Sequence, residues 1–442
     1  MLFSNKDLKK LIIPLIIEQL LAITVGFADT IMVSNVGEAA VSAVSLVDTI
    51  NILLINVFAA SGTGGAVVVA QFVGQNAYRK ARYSAKQLIL ITALLSFVIL
   101  LVVILFNVSL LHLVFGQVES HVMNNAEIYF FYSALSYPLI ALYNSGAALF
   151  RAIGNSKISM INSFIMNIIN ITLNAILIFG LNMGVAGAAI ATLIARVIAC
   201  GAVLYMLTQK HRELYIDNLL NWKFDFMYIK KILTIGIPSG LENGMFQLGK
   251  ILVQSLIATF GTYSIAANAV SNNLVQMQII PGVALGLAMV TVVGQCVGAH
   301  DYKQAKYYIK KIMKITYFSM FAVIIVILLL TPTVLKFYSL SQETIDIAYQ
   351  CIFLHGLIGG LIWPLSFTFP NALRASNDAK FTMIVSALSM LICRLLLSYI
   401  LGDMWGLGLL GVWTAMFIDW GIRCIFFVWR YISGRWMNRE LV

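Results

Sequence analysis

The chain has 442 residues, 60% of them hydrophobic and 11% charged, with a formal net charge of +11. Soluble domains carry about 25% charged residues, so this composition excludes a soluble globular protein. The positive charge does not describe a nucleic-acid surface either, because Lys and Arg fall in short clusters between long apolar runs.

In chain order the runs predict membrane spans near 11–34, 41–70, 88–111, 126–150, 160–181, 185–208, 232–258, 263–298, 315–337, 345–371, 381–402 and 407–431. They lack the dyad alternation of a membrane β-barrel, so helices are expected. MLFSNKDLKK is followed by no small-residue cleavage site, so the first span is read as retained. Basic clusters occur at Lys6/Lys9/Lys10, Arg79 to Lys86, Arg151/Lys157, Lys210 to Lys231, Lys303 to Lys314, Arg374/Lys380 and Arg430 to Arg439. The alternate gaps are almost free of them. Both termini are therefore expected on the cytoplasmic side of a cytoplasmic (inner) membrane. The stretch QKHRELYIDNLLNWKFDFMYIKK separates six spans from six. The expected domains are an N-terminal lobe (1–208), a cytoplasmic linker (209–231) and a C-terminal lobe (232–442). Five cysteines lie in or beside spans without CxxC or metal-ligand spacing, so no disulfide and no metal centre is expected.

The halves repeat at a shift near 224. Pro14 and Glu18 align with Pro238 and Glu242, and QFVGQNAYRKA (71–81) with QCVGAHDYKQA (295–305). RAIGNSK (151–157) aligns with RASNDAK (374–380) at a shift of 223, and GVAGAAIAT (184–192) with GLLGVWTAM (408–416). Six spans per half is an even number, so both halves insert in the same sense, related by an axis along the membrane normal. The predicted fold is an all-α polytopic membrane protein of twelve transmembrane helices, in two pseudo-symmetric six-helix lobes around a central cleft.

PLIIEQLLAITVGFADTIMVSNVG, VVAQFVGQNAYRKA, ALFRAIGNSK, NITLNAILIFG and GVAGAAIAT resemble the multidrug and toxic compound extrusion (MATE) family, as do ALRASNDAK and GVWTAMFIDWGIR in the second half. The resemblance covers essentially the whole chain. It implies a secondary antiporter that exports lipophilic, often cationic small molecules in exchange for protons or sodium ions. It also implies that Asp29 couples ions in the N-terminal lobe, with Asn170, Asn174 and Thr192 lining the same cavity. Some members carry Asp where this chain has Asn174.

The residues themselves place polar groups where lipid would exclude them. Glu18 and Asp29 lie eleven residues apart on the first span, within ~20° of one helical face and roughly 16 Å apart along it. Intramembrane acids are functional by default, although a structural carboxylate bonding neighbouring helices is the plainer alternative for Asp29. Asp29 reads as the only carboxylate deep in its lobe. Desolvation favours the neutral carboxyl, so protons are the preferred coupling ion, with sodium the alternative. Glu18 and Glu242, each four residues after a proline expected in the first helical turn, suit a gate or packing role. Asn167, Asn170 and Asn174 share a face of the fifth span, either lining a cavity or joining helices.

On the seventh span, Asn243, Gln247, Lys250 and Gln254 form a second polar stripe. Lys250 and Arg394 are deep cations, and Arg394 aligns with Asn170. They suggest affinity for an anionic or zwitterionic group, unless Arg394 pairs with Asp419, with Arg423 one turn beyond. A lipid-linked saccharide flippase or an exporter of anionic or zwitterionic metabolites is the alternative function. No GxxxxGK[ST], HExxH or catalytic triad is present, so neither an ATP-driven pump nor an enzyme is expected. The expected partners are small-molecule substrates and the lipid bilayer, not nucleic acid, with no cofactor beyond the coupling ion. A monomer is expected.

Overall fold

A computed structural model describes residues 2–116, 119–218, 222–336 and 341–438, and all regular structure among them is helical. Twelve helical rods follow in sequence: α1 (Asn5–Ser34), α2 (Glu38–Gly74), α3 (Tyr78–Phe115), α4 (120–152), α5 (Ser156–Gly180) and α6 (Gly184–Thr208). The second set is α7 (Phe226–Ala258), α8 (Thr262–Gly298), α9 (Tyr302–Lys336), α10 (Gln342–Ala375), α11 (Ala379–Met404) and α12 (Gly408–Ile432). Ten of them are long and apolar enough to cross a bilayer as single helices. The other two are α7, dense in polar side chains, and α4. Ser136 ends the first half of α4 (Ser120–Leu135) and caps the second (Tyr137–Ala152), where Pro138 cannot continue the hydrogen-bond ladder.

The chain divides into two compact units, Phe3–Gly240 and Leu241–Val442, with the boundary inside α7. Leu2 belongs with the second unit, its backbone N–H donating to Gln304 Oε1 at 2.8 Å. In the first unit, α2 packs on α3 and α4, while α1 runs beside α5 and α5 beside α6. Glycine permits one very close approach here: a Cβ on Gly64 would sit 2.5 Å from the Ile232 carbonyl oxygen and 2.8 Å from the Gly236 nitrogen. In the second unit α8 packs on α9 and α10, and α11 on α12. Its apolar core gathers Leu274, Met320, Cys351, Trp363, Trp413 and Trp420.

The internal repeat is visible in backbone conformation. Gly37 (φ 132°), Asn76 (57°), Asn182 (52°) and Gly184 (57°) recur 224 residues later as Gly261 (99°), His300 (57°), Gly406 (69°) and Gly408 (54°). Gly154 (84°) recurs at Asn377 (63°), a shift of 223. The π-helical turn Ala175–Gly180 that ends α5 likewise recurs as Tyr399–Met404 in α11. The offset returns from 223 to 224 across a second π-turn, Met390–Leu396, found in α11. An i→i+5 turn takes in one extra residue without ending the helix, so this turn absorbs the insertion.

The structure corrects one local expectation. Pro14 and Pro238 do not lie in first turns; both are inside their helices. Ser4 and Asp7 form a capping box that starts α1 well before the proline. Pro14 has no N–H to offer the Lys10 carbonyl. The Ser156 hydroxyl from α5 bonds there instead, 3.3 Å from Lys10 O and 2.6 Å from Leu11 O.

Candidate functional site

Within the first unit, α1, α2, α4, α5 and α6 enclose a cavity of about 140 Å³ lined by Asp29, Asp48, Tyr129, Asn174 and Thr192. Its apolar base is a cluster of Val33, Ala40, Ile178, Val185 and Ala188. That volume holds several waters of about 30 Å³ each. Asn174 Nδ2 donates to Asp29 Oδ1 at 2.7 Å and to Asn170 Oδ1 at 3.2 Å, and Asn170 Nδ2 donates to Thr192 Oγ1 at 3.0 Å. The four residues named for ion coupling thus form one chain of hydrogen bonds. Asn174 Oδ1 itself is buried with no hydrogen-bond partner among the described residues, as is Asn167 Nδ2 one turn before Asn170.

Asp29 is not the only carboxylate there, which corrects the reading of the sequence. Asp48 of α2 faces the same cavity. Its Oδ1 accepts from Asn51 Nδ2 at 3.0 Å and from the Tyr129 hydroxyl at 3.4 Å. Asn51 in turn accepts from the Tyr137 hydroxyl at 2.8 Å. Arg196 of α6, anchored by Nη1 to Ser136 Oγ at 2.5 Å, lies within Coulombic reach of both acids. The signal was present in LVDTIN, an ionisable residue within an apolar run with an amide one turn on. Two ionised carboxylates with a single guanidinium nearby leave one negative charge.

Glu18 and Glu242 lie elsewhere and form matching clamps. Glu18 pairs with Arg151 at 3.3 Å and accepts from Ser159 Oγ. Glu242 pairs with Arg374 at 2.8 Å and accepts from Ser386 Oγ (2.6 Å) and Thr382 Oγ1 (3.3 Å). Arg151 and Arg374, and Ser159 and Thr382, are repeat equivalents at the shift of 223. Each clamp ties the helix bearing the internal proline to its neighbours.

In the second unit the alternative pairing of Arg394 with Asp419 is not made. Asp419 is held by Arg423, Nε to Oδ1 at 3.0 Å and Nη2 to Oδ2 at 3.1 Å, because the two lie one turn apart on α12. Arg394 is 8% exposed, yet its Nε and Nη1 have no hydrogen-bond partner among the described residues. Of the polar stripe on α7, Asn243 and Gln247 are half-buried and Lys250 and Gln254 exposed. Gln254 Oε1 accepts from Asn268 Nδ2 at 2.8 Å. Lys250 lies 5.0 Å from the Phe246 ring centroid.

Two helical units with repeated loop conformations, repeated clamps and ionisable groups inside apolar helices define a polytopic membrane transporter of duplicated design. The MatE family model matches residues 14–176 and again 238–400, each match beginning at one of the internal prolines, and the chain belongs to this family, the MATE transporters. Among its relatives, the "Uncharacterized transporter YisQ" of Bacillus subtilis (strain 168) is 29% identical over 435 residues, 97% of this chain and 94% of the relative. The "Probable multidrug resistance protein NorM" of Thermotoga maritima is 24% identical over 445 residues, 99% of this chain and 94% of the relative. Among solved structures, a MOP superfamily transporter from Pyrococcus furiosus, described as having a binding pocket of reverse polarity, superposes with a TM-score of 0.91 at 22% identity, covering 98% and 97% of the two chains. A MATE structure in a bent conformation gives 0.89 at 22% identity, covering 98% and 96%. These likenesses establish the twelve-helix, two-lobe fold.

Proposed function

We propose that the protein is a multidrug exporter of the cytoplasmic membrane, driven by inward proton flow and working by alternating access as a monomer. The clusters of Lys and Arg between alternate spans support termini on the cytoplasmic side. The names of relatives such as the NorM of Thermotoga maritima support the multidrug reading. The observation that carries the coupling is the pair Asp29 and Asp48 facing one small cavity inside a helical unit. In the loaded state the pair holds one proton; Asn174 Nδ2 donates to Asp29 and the Tyr129 hydroxyl to Asp48, so either carboxylate keeps a donor when it is the ionised one. On release, Arg196 is left to balance the two charges. The exported compounds are lipophilic and commonly cationic.

Sodium is the second reading, supported by the unpartnered Asn174 Oδ1 beside two carboxylates, since hard cations take oxygen ligands. The test is ethidium efflux from proteoliposomes under an imposed proton gradient and, separately, a sodium gradient. Efflux that follows the proton gradient, is lost in Asp29→Asn and is lowered about tenfold or more in Asp48→Asn supports the proposal. Efflux that follows only sodium replaces the ion. No cation efflux under either gradient would refute the multidrug reading and favour the lipid-linked saccharide flippase.

A further inference from the structure

The two units share a backbone plan, yet their interiors carry opposite charge. In the second unit the two buried acids within the helices, Glu242 and Asp419, are already engaged, by Arg374 and by Arg423. Two cations deep in its helices are left without an acid among the described residues. Arg394 has two buried nitrogens without a partner, and Lys250 forms no hydrogen bond or ion pair among the described residues. Both approach the same aromatic ring: the Phe246 centroid lies 5.0 Å from Lys250 Nζ and 5.3 Å from Arg394 Cζ. A ring face attracts a cation, but it offers no oxygen to satisfy the N–H groups.

We infer that Arg394 and Lys250 form a binding site for the carboxylate of an aromatic organic acid, whose body rests on the ring cluster around Phe246. Arg394 suits the role because a guanidinium binds a carboxylate through two parallel hydrogen bonds, and its Nη1 on the Nη1/Nη2 edge has no partner among the described residues to give up. Its neighbour Arg423 cannot compete, being fixed to Asp419 and to Ser389 Oγ at 2.9 Å. The apolar wall is present as well. Phe246 meets Phe367 edge-on at 5.6 Å, and Phe367 stacks on Trp363 at 5.0 Å. Arg394 is placed there by the π-turn Met390–Leu396, where the repeat gains its extra residue. π-turns within helices concentrate at functional sites. At the equivalent position the first unit has Asn170, part of the hydrogen-bonded chain to Asp29, so the duplicated position has changed its polarity.

The inference deepens the export reading by naming a second substrate class. It rests on that reading only in calling the ligand a substrate, because binding is measured at equilibrium. The probes are 2-naphthoate and 2-naphthylmethylammonium, which share a body and differ in charge, titrated calorimetrically into the full-length protein in phosphatidylcholine nanodiscs. Wild type is expected to bind the naphthoate more tightly. Arg394→Met is expected to weaken naphthoate binding about a hundredfold, the effect of removing one partner of a desolvated charge pair, and Arg394→Lys to recover part of it. Lys250→Met, at an exposed position that folding tolerates, is expected to weaken it about tenfold by removing one cation.

Equal or tighter binding of the ammonium by wild type would overturn the proposal, as would unchanged naphthoate affinity in the Lys250 and Arg394 variants. Displacement of naphthoate by added phosphatidylglycerol would assign the site to a lipid headgroup and overturn the substrate reading. Absence of gradient-driven efflux together with intact, Arg394-dependent naphthoate binding would refute the export reading while supporting the anion site.

Discussion

Replacing Arg374 by Met isolates the Glu242 clamp. The guanidinium lies 2.8 Å from Glu242 Oε1, and the two side chains are 14% and 9% exposed, so water replaces little of what is lost. The carboxylate keeps two hydroxyl donors, Ser386 and Thr382, but has no cation within the clamp. Breaking a buried pair in this way costs about 3–5 kcal/mol. Removing both charges in Glu242→Gln/Arg374→Met leaves mainly hydrogen-bond and packing losses, about 1–2 kcal/mol. The double variant should therefore be more stable than the single one by about 2–3 kcal/mol. Denaturation by sodium dodecyl sulfate in mixed micelles measures all three species. A double variant as unstable as Arg374→Met would refute the reasoning, since the buried carboxylate would then not be the source of the loss. Arg151→Met, across a longer 3.3 Å pair with 15% and 12% exposure, is expected to cost less.

Three further outcomes are expected. Asp29→Asn should abolish gradient-driven efflux from proteoliposomes, and Asp48→Asn should lower it about tenfold or more, the worth of one charge-assisted hydrogen bond; wild-type rates in Asp48→Asn would remove that residue from the coupling pair. Gly64→Val should destabilise the first unit by about 1–3 kcal/mol, because its Cβ meets the Ile232 carbonyl and the Gly236 backbone; normal yield and melting would show that α7 yields there without penalty. Outside the spans, hydrogen bonds from the Gln304 backbone and side chain hold the Asp301 carboxyl below its ordinary value of 3.8. A group lowered on folding stabilises above its unfolded value and loses that contribution as pH falls through the folded one. Asp301→Ala should then lower the melting temperature slightly at neutral pH, with the difference shrinking in strong acid; a gap that widens in acid would contradict the assignment.

The fold was readable because hydropathy and basic clusters mark spans directly, and because the repeat left prolines, acids and loop residues in register. Helix ends were less readable. α3 begins at Tyr78 and α9 at Tyr302, earlier than the apolar runs, because a helix continues past the hydrocarbon with Lys and Arg on its turns. The prolines were placed too near the helix starts for the same reason. Of the candidate site, the Asp29, Asn170, Asn174 and Thr192 chain was legible from the asparagine stripe and the family resemblance. Asp48 carried a signal of its own in LVDTIN, but its placement beside Asp29 did not, and neither did Tyr129 or Arg196, because each stands singly on its own helix and only packing brings them together. The spacing placed Arg423 one turn beyond Asp419 but left open a pairing of Arg394 with Asp419; the neighbour on the same helix takes the carboxylate.

The clamps also bear on how the chain is made. Glu18 emerges 133 residues before Arg151, and Glu242 emerges 132 before Arg374. During synthesis each acid therefore enters the bilayer with its partner still untranslated, a state that insertion scales place at about 2.5–3.5 kcal/mol. The first and seventh helices carry that cost until the fourth and tenth supply the arginines, so each half gains its ion pair only when its fourth helix is in place. A chain truncated before Arg151 or Arg374 keeps an unmet charge within a span.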